Sequence, residues 1–194
     1  MAFDYTSPTF ITAAAIVIVL IIAAIVIYEV NRRHRTARFR TRFGTEYDLA
    51  LQEFKSREKA ETHLQDRINR VRRFQIRELP AEERASFVTQ WEAVQGRFID
   101  HPRGAVTEAD ELVNSLMKAL GYPTVGGLDE RAADISVNYP RLVASYRSAN
   151  AITGRAGRND ATTEELRTAM IHYRALFEEL LQVNTPVVEQ RAMA

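Results

Sequence analysis

From Phe10 to Tyr28 the chain reads F-I-T-A-A-A-I-V-I-V-L-I-I-A-A-I-V-I-Y, nineteen residues without a charge, a glycine or a proline. As helix, at ~1.5 Å per residue, that run covers ~28 Å, close to the ~30 Å hydrocarbon core of a bilayer. Ile and Val are mediocre helix formers in water. In lipid the backbone has no solvent to bond, so a lone span must be helical whatever its side chains prefer. Phe10 and Tyr28 close the run where interfacial aromatics belong. A cleaved signal peptide would need a basic start and an apolar core of ~7–15 residues. Residues 1–9 instead hold Asp4 and no Lys or Arg, and the run is longer. A buried globular helix would rarely be apolar on every face for five turns. The reading is therefore a transmembrane helix over 10–28, preceded by a short N-terminal segment, 1–9.

Orientation is read from the flanks. Arg32, Arg33, Arg35, Arg38, Arg40 and Arg42 follow the run, with His34 among them, and nothing basic precedes it except the amino terminus. The positive-inside rule puts the N-terminus outside and the rest of the chain in the cytoplasm of a single-pass cell (inner) membrane protein. The absence of Cys suits that compartment and rules out a disulfide framework or thiolate chemistry. The arginine collar over 29–43 could also be read as a nucleic-acid arm. Its place beside the apolar run favours stop-transfer and attraction to anionic lipid heads, so the bilayer is the expected partner and nucleic acid is not. The near-neutral net charge of +1 conceals this asymmetry. Six basic and two acidic residues fall in the first 42, against twenty and twenty-three in the remainder.

Residues 44–185 have helical periodicity throughout and no alternation of the strand kind. A first helix is expected from about Glu46 to Arg77. It carries stripes at Tyr47, Leu51, Phe54 and at Leu64, Ile68, Val71, which Glu58, Lys59 and Glu61 interrupt. The interruption disfavours a continuous coiled coil. The Arg67, Arg70, Arg72, Arg73 and Arg77 face is expected to be solvated. A second helix starts at Pro80, aligns Phe87, Trp91, Val94 and Phe98, and ends near Asp100-His101-Pro102. A third runs from about Gly104 to Leu120 and stops at Gly121 and Pro123. A short helix is expected from Leu128 to Val137. Pro140 breaks the pattern before a fifth helix that reaches about Ile152. Gly154 to Asp160 reads as a loop. The last helix opens on Thr162-Thr-Glu-Glu165, a capping-box pattern. Residues 186–194 read as a flexible tail. The whole is an all-α chain: one N-terminal transmembrane helix, then a cytoplasmic bundle of about five amphipathic helices.

Chemistry-bearing motifs are scarce. A di-iron bundle needs Glu-x-x-His pairs, but Ala60, Phe98 and Ala169 stand three before the later histidines. There is no His-Glu-x-x-His zinc helix, no P-loop and no nucleophile elbow. Gly154-Arg155-Ala156-Gly157-Arg158 precedes a helix and could hold a phosphate, but no strand leads into it. Trp91 with Phe87 and Phe98 reads as core before it reads as a binding anchor. Ile135-Ser-Val-Asn-Tyr-Pro140 reads as a tight interhelical corner, with a groove as the alternative. No catalytic residue, cofactor or metal is assigned. If a pocket lies between helices, its polar groups would be Asp134, Tyr139, Tyr146 and His172.

Four stretches carry a likeness: Phe43-Gly-Thr-Glu-Tyr-Asp48, Trp91 to Asp100, Asp134 to Pro140, and Thr163 to Phe177. Through them the chain resembles a group of membrane-anchored bacterial proteins with a helical cytoplasmic domain and no assigned activity. The resemblance reaches across nearly the whole cytoplasmic part and implies the architecture, not a reaction. The expected role is a non-enzymatic protein-interaction or scaffold module at the inner face of the membrane, with an unidentified protein partner; homo-oligomerisation stays open. The alternative is a membrane-tethered enzyme or small-ligand sensor with a pocket between helices.

Overall fold

The computed structural model describes residues 8–123 and 126–182, with side chains from Ile16 onward. Among the described residues there are eight helices and no strand, so the chain is all-α. It falls into two units, Met1–Thr41 and Arg42–Ala194. The expected tail, 186–194, and most of the N-terminal segment lie outside the described residues, as does the side chain of Phe10.

Helix α1 spans Pro8–Phe43, 36 residues without interruption. From Ile16 to Ile27 its Ile, Val and Leu side chains are 53–63% exposed at every position around the axis. Among the described residues no helix is long and apolar enough to cross a membrane. Counted from Ile16, an 18-residue stretch of α1 already takes in Glu29, Arg32 and Arg33. Beyond the apolar part, Glu29 pairs with Arg32 at 3.6 Å and with Arg33 at 3.3 Å, and the Arg35 guanidinium lies 5.7 Å from the Phe39 ring.

The second unit begins with a sharp break. Gly44 takes φ 53°, a conformation that suits a residue without Cβ, and α2 (Thr45–Phe54) follows. The single helix expected over 46–77 is in fact two, α2 and α3 (Arg57–Val71). The break is at Lys55, a left-handed residue at φ 50° whose N–H bonds the Leu51 carbonyl, followed by extended Ser56. It falls where the apolar stripe lapses. Each short helix turns its own stripe inward: Tyr47 and Ala50 from α2, Ala60, Leu64, Ile68 and Val71 from α3.

An extended stretch leads to α4 (Ala81–Arg97), which starts one residue later than expected, with Pro80 as its cap. On the way the Arg77 N–H bonds the Leu120 carbonyl at 3.0 Å. α5 (Pro102–Ala119) starts at the proline rather than at Gly104; Pro is suited to a first helical position because that N–H needs no partner. Gly121 ends α5 as predicted. At φ 94° it lets its own N–H reach the Lys118 carbonyl and the Tyr122 N–H reach Met117, the paired bonds of a Schellman stop.

α6 (Leu128–Ser136) is the expected short helix. α7 (Val143–Ala156) runs past the predicted end at Ile152, so the first half of the predicted loop is helix. Termination falls to Asn159 at φ 60°, where the N–H groups of Asn159 and Asp160 bond the carbonyls of Ala156 and Arg155. α8 (Thr163–Leu181) carries the predicted capping box: Thr162 accepts from the Glu165 N–H, and Glu165 accepts from the Thr162 N–H at 2.8 Å. The domain thus holds seven helices among the described residues rather than about five.

Its core is built around α5, α7 and α8. Val106, Val113 and Leu116 from α5 meet Val143, Tyr146 and Ala149 from α7 and Leu166, Tyr173, Leu176 and Phe177 from α8 in one buried cluster. α4 covers this cluster with Trp91, which stacks on Phe177 at 4.7 Å. Trp91 is therefore core, while Phe87 and Phe98 are only half-buried against it.

Candidate functional site

Three sets of buried or half-buried polar groups tie the helices of the domain together. The first is centred on Glu46, which is 3% exposed. Its carboxylate accepts from Arg67 of α3 at 3.2 Å and from Arg147 of α7. Arg67 also donates to His63 Nε2 at 3.2 Å. Burial, and then the charge of Arg67, hold the His63 imidazole below its ordinary pKa, so the ring nitrogen stays an acceptor. The ring of Phe54 lies against His63 at 4.8 Å.

The second set holds Asp134, one of the predicted pocket residues. It is 2% exposed on α6 and accepts from Arg70 of α3 at 3.2 Å; Arg70 also reaches Glu130 at 3.5 Å. Burial pushes the Asp134 carboxyl above the usual range despite Arg70. Two arginines of the face expected to be solvated, Arg67 and Arg70, are thus consumed in packing α3. Arg72, Arg73 and Arg77 are exposed as expected.

The third set surrounds Asp110 in the centre of the bundle. Asp110 Oδ1 accepts from Asn150 at 3.1 Å and from the Tyr173 hydroxyl at 3.0 Å, while Oδ2 accepts from Asn114 at 3.2 Å. Thr153 lies 2.9 Å from the same Tyr173 oxygen. Tyr146, another predicted pocket residue, is fully buried; it donates to Asn114 at 3.4 Å and accepts from Arg131 at 3.2 Å. Burial raises the pKa of both tyrosines, keeping them as neutral donors. A carboxylate with three donors in the middle of a helical bundle fixes the mutual register of α5, α7 and α8.

Concave surface lies elsewhere. Asn138, Tyr139, Pro140, Arg141, Leu142 and Glu179 line a cavity of about 290 Å³ at the corner between α6 and α7. The segment read mainly as a tight corner therefore also borders a hollow. A second, shallower groove of about 450 Å³ lies between α4 and α5, floored by Val94 and Leu112 and rimmed by the Arg97–Glu108 pair at 2.6 Å.

The four predicted pocket residues are not brought together. Asp134 faces α3, Tyr146 joins the Asp110 network, Tyr139 lines the corner cavity, and His172 is half-buried on α8 with no hydrogen bond to a described residue. Sequence reading missed Glu46, Asp110 and Glu179. Asp110 and Asn114 had a usable signal: two polar residues four apart beside the apolar stripe of α5. Glu46 had none, because its partners come from helices far along the chain. Among the described residues no cluster of His, Asp or Glu could hold a metal ion. No family profile, curated protein or solved structure matches the chain.

Proposed function

We propose that the protein is a single-pass membrane protein, N-terminus outside, whose helical domain works at the inner face of the membrane by binding another protein. The observation that carries the anchoring is α1. Side chains from Ile16 to Ile27 are apolar and exposed on all sides of one unbroken helix. A helix apolar all round is stable only when something apolar surrounds it, and a bilayer does so without a specific partner. The apolar run begins at Phe10, ahead of the described side chains, and the arginines from Arg32 to Arg42 follow it as a collar suited to anionic lipid heads.

Binding is favoured over catalysis by what the polar groups do. Glu46, Asp110 and Asp134 are each engaged with side chains of other helices. The groove between α4 and α5 offers an apolar floor and a charged rim, and at the end of α4 stands Ile99, 84% exposed. Tethering at the membrane raises the effective concentration towards membrane-bound partners. A photo-crosslinker placed at Ile99 in cells should trap a membrane-associated protein that the same group at Asp160 does not. Equal yields from both positions, or adducts to lipid alone, would count against this role.

A further inference from the structure

The corner cavity has a chemistry that the interaction role does not use. Its apolar surface comes from Pro140, Leu142 and the ring of Tyr139. Two residues of opposite charge, Arg141 and Glu179, line the same hollow. Both are exposed, and neither forms an ion pair with the other or with any described residue. One residue before Glu179 on α8, Glu178 pairs with Arg174 at 2.6 Å, and at the start of that helix Glu165 pairs with Arg155. Opposite charges that share a cavity and do not meet leave room for a molecule that satisfies both.

The remaining polar groups fit such a guest. Burial raises the Tyr139 pKa, and the Glu179 charge adds to the effect, so the phenol remains a neutral hydrogen-bond donor. Asn138 donates its amide to the Tyr122 hydroxyl at 2.7 Å, which fixes this part of the wall. The volume, about 290 Å³, sits at the small end of ligand sites, too small for a nucleotide-sized guest and suited to a compact one.

We propose that this cavity binds a small apolar amino acid as its zwitterion, with Glu179 holding the ammonium, Arg141 the carboxylate, and Tyr139, Pro140 and Leu142 the side chain. A guanidinium can take a carboxylate through two parallel bonds, and a carboxylate takes an ammonium through charge-assisted ones. The inference does not rest on the interaction role or on membrane topology, since it needs only the folded domain. The wall is also tied to the first residue of the second unit: Arg42 donates to the Val137 carbonyl, one residue before Asn138, at 3.4 Å. Occupancy would thus be felt at the segment where that unit begins.

The test uses the full chain in detergent micelles and saturation-transfer NMR with L-valine, L-leucine and L-phenylalanine, each at about 10 mM, enough to report a Kd near ~1 mM. At least one should give a signal above micelles alone. N-acetyl-leucine lacks the ammonium and leucinamide lacks the carboxylate, and each should bind about tenfold more weakly than leucine. Glu179→Gln and Arg141→Gln should each weaken binding to a similar extent. Because both side chains are exposed and unpaired, neither substitution should move the unfolding midpoint, which separates lost binding from lost folding. No signal from any of the three amino acids overturns the proposal. So does equal binding of either blocked analogue, or unchanged binding in either variant.

Discussion

Replacing Glu46 by Ala removes the only carboxylate within 4 Å of Arg67 among the described residues, and the nearer of two for Arg147. Side-chain exposures are 16% for Arg67 and 28% for Arg147, so neither charge is fully rescued by water. The other carboxylate near Arg147, Asp129, is 3.9 Å away and 96% exposed, too well solvated to compensate. Removing one partner of a buried pair costs about 3–5 kcal/mol. Both arginines keep some solvent contact, so the lower end applies, about 3 kcal/mol. For a domain of this size that corresponds to a fall in Tm of roughly 10 °C. The assay is built in: Trp91 is the single tryptophan of the chain, 5% exposed and stacked on Phe177. Its fluorescence on heating in micelles reports the core of the domain. Glu164→Ala, which removes an exposed pair with Arg167, is the control and should shift Tm by less than about 2 °C. If Glu46→Ala shifts Tm no more than the control, the Glu46 cluster does not hold α2, α3 and α7 together. Replacing Glu46, Arg67 and Arg147 together by Leu and Met should recover most of the loss, because no unpaired charge then remains buried.

Gly121→Ala should destabilise more than an ordinary surface change. The residue sits at φ 94°, and a Cβ there would lie 2.2 Å from the Gln75 backbone oxygen, so we expect a loss of about 3 kcal/mol or more in the same assay. Thr162→Ala removes the capping hydroxyl of α8 and should cost about 1 kcal/mol, while Thr162→Ser should be nearly neutral. Stability should fall on the alkaline side. Burial pushes the Tyr122 hydroxyl up to about 12, and raises Tyr139, Tyr146 and Tyr173 as well. Their stabilisation is whole below the unfolded pKa of ~10 and is lost as the pH climbs through the folded values, so Tm should drop steeply between about pH 10 and 12. Ionisation of these four tyrosines, followed through their individual NMR signals at about pH 11, should appear with unfolding, not before it.

Much of the fold was legible where the signal is local. The Thr162 capping box, the stop at Gly121 and the apolar stripes of α4, α5 and α8 depend on residues within a few positions of one another. The misreadings have a common cause as well. The break between α2 and α3 uses Lys55 in a left-handed conformation, which nothing in the residue type announces. The glycines at 154 and 157 suggested a loop, but glycine only permits one; the helix ends where Asn159 adopts φ 60°. Charges such as Glu46 and Arg70 look like surface residues until partners from distant helices are known. The corner cavity has the same character: Asn138 to Pro140 were visible as part of a break, whereas Glu179 arrives from the last helix.

If the apolar run crosses a membrane with the helical domain inside the cell, residues on either side of it meet different solvents. Because the chain has no Cys, single cysteines can report the two sides cleanly. Intact cells carrying Ser7→Cys or Glu164→Cys are treated with a maleimide that cannot cross membranes. The first variant should be labelled directly and the second only after permeabilisation. Labelling of Glu164→Cys in intact cells, with Ser7→Cys protected, would overturn that topology.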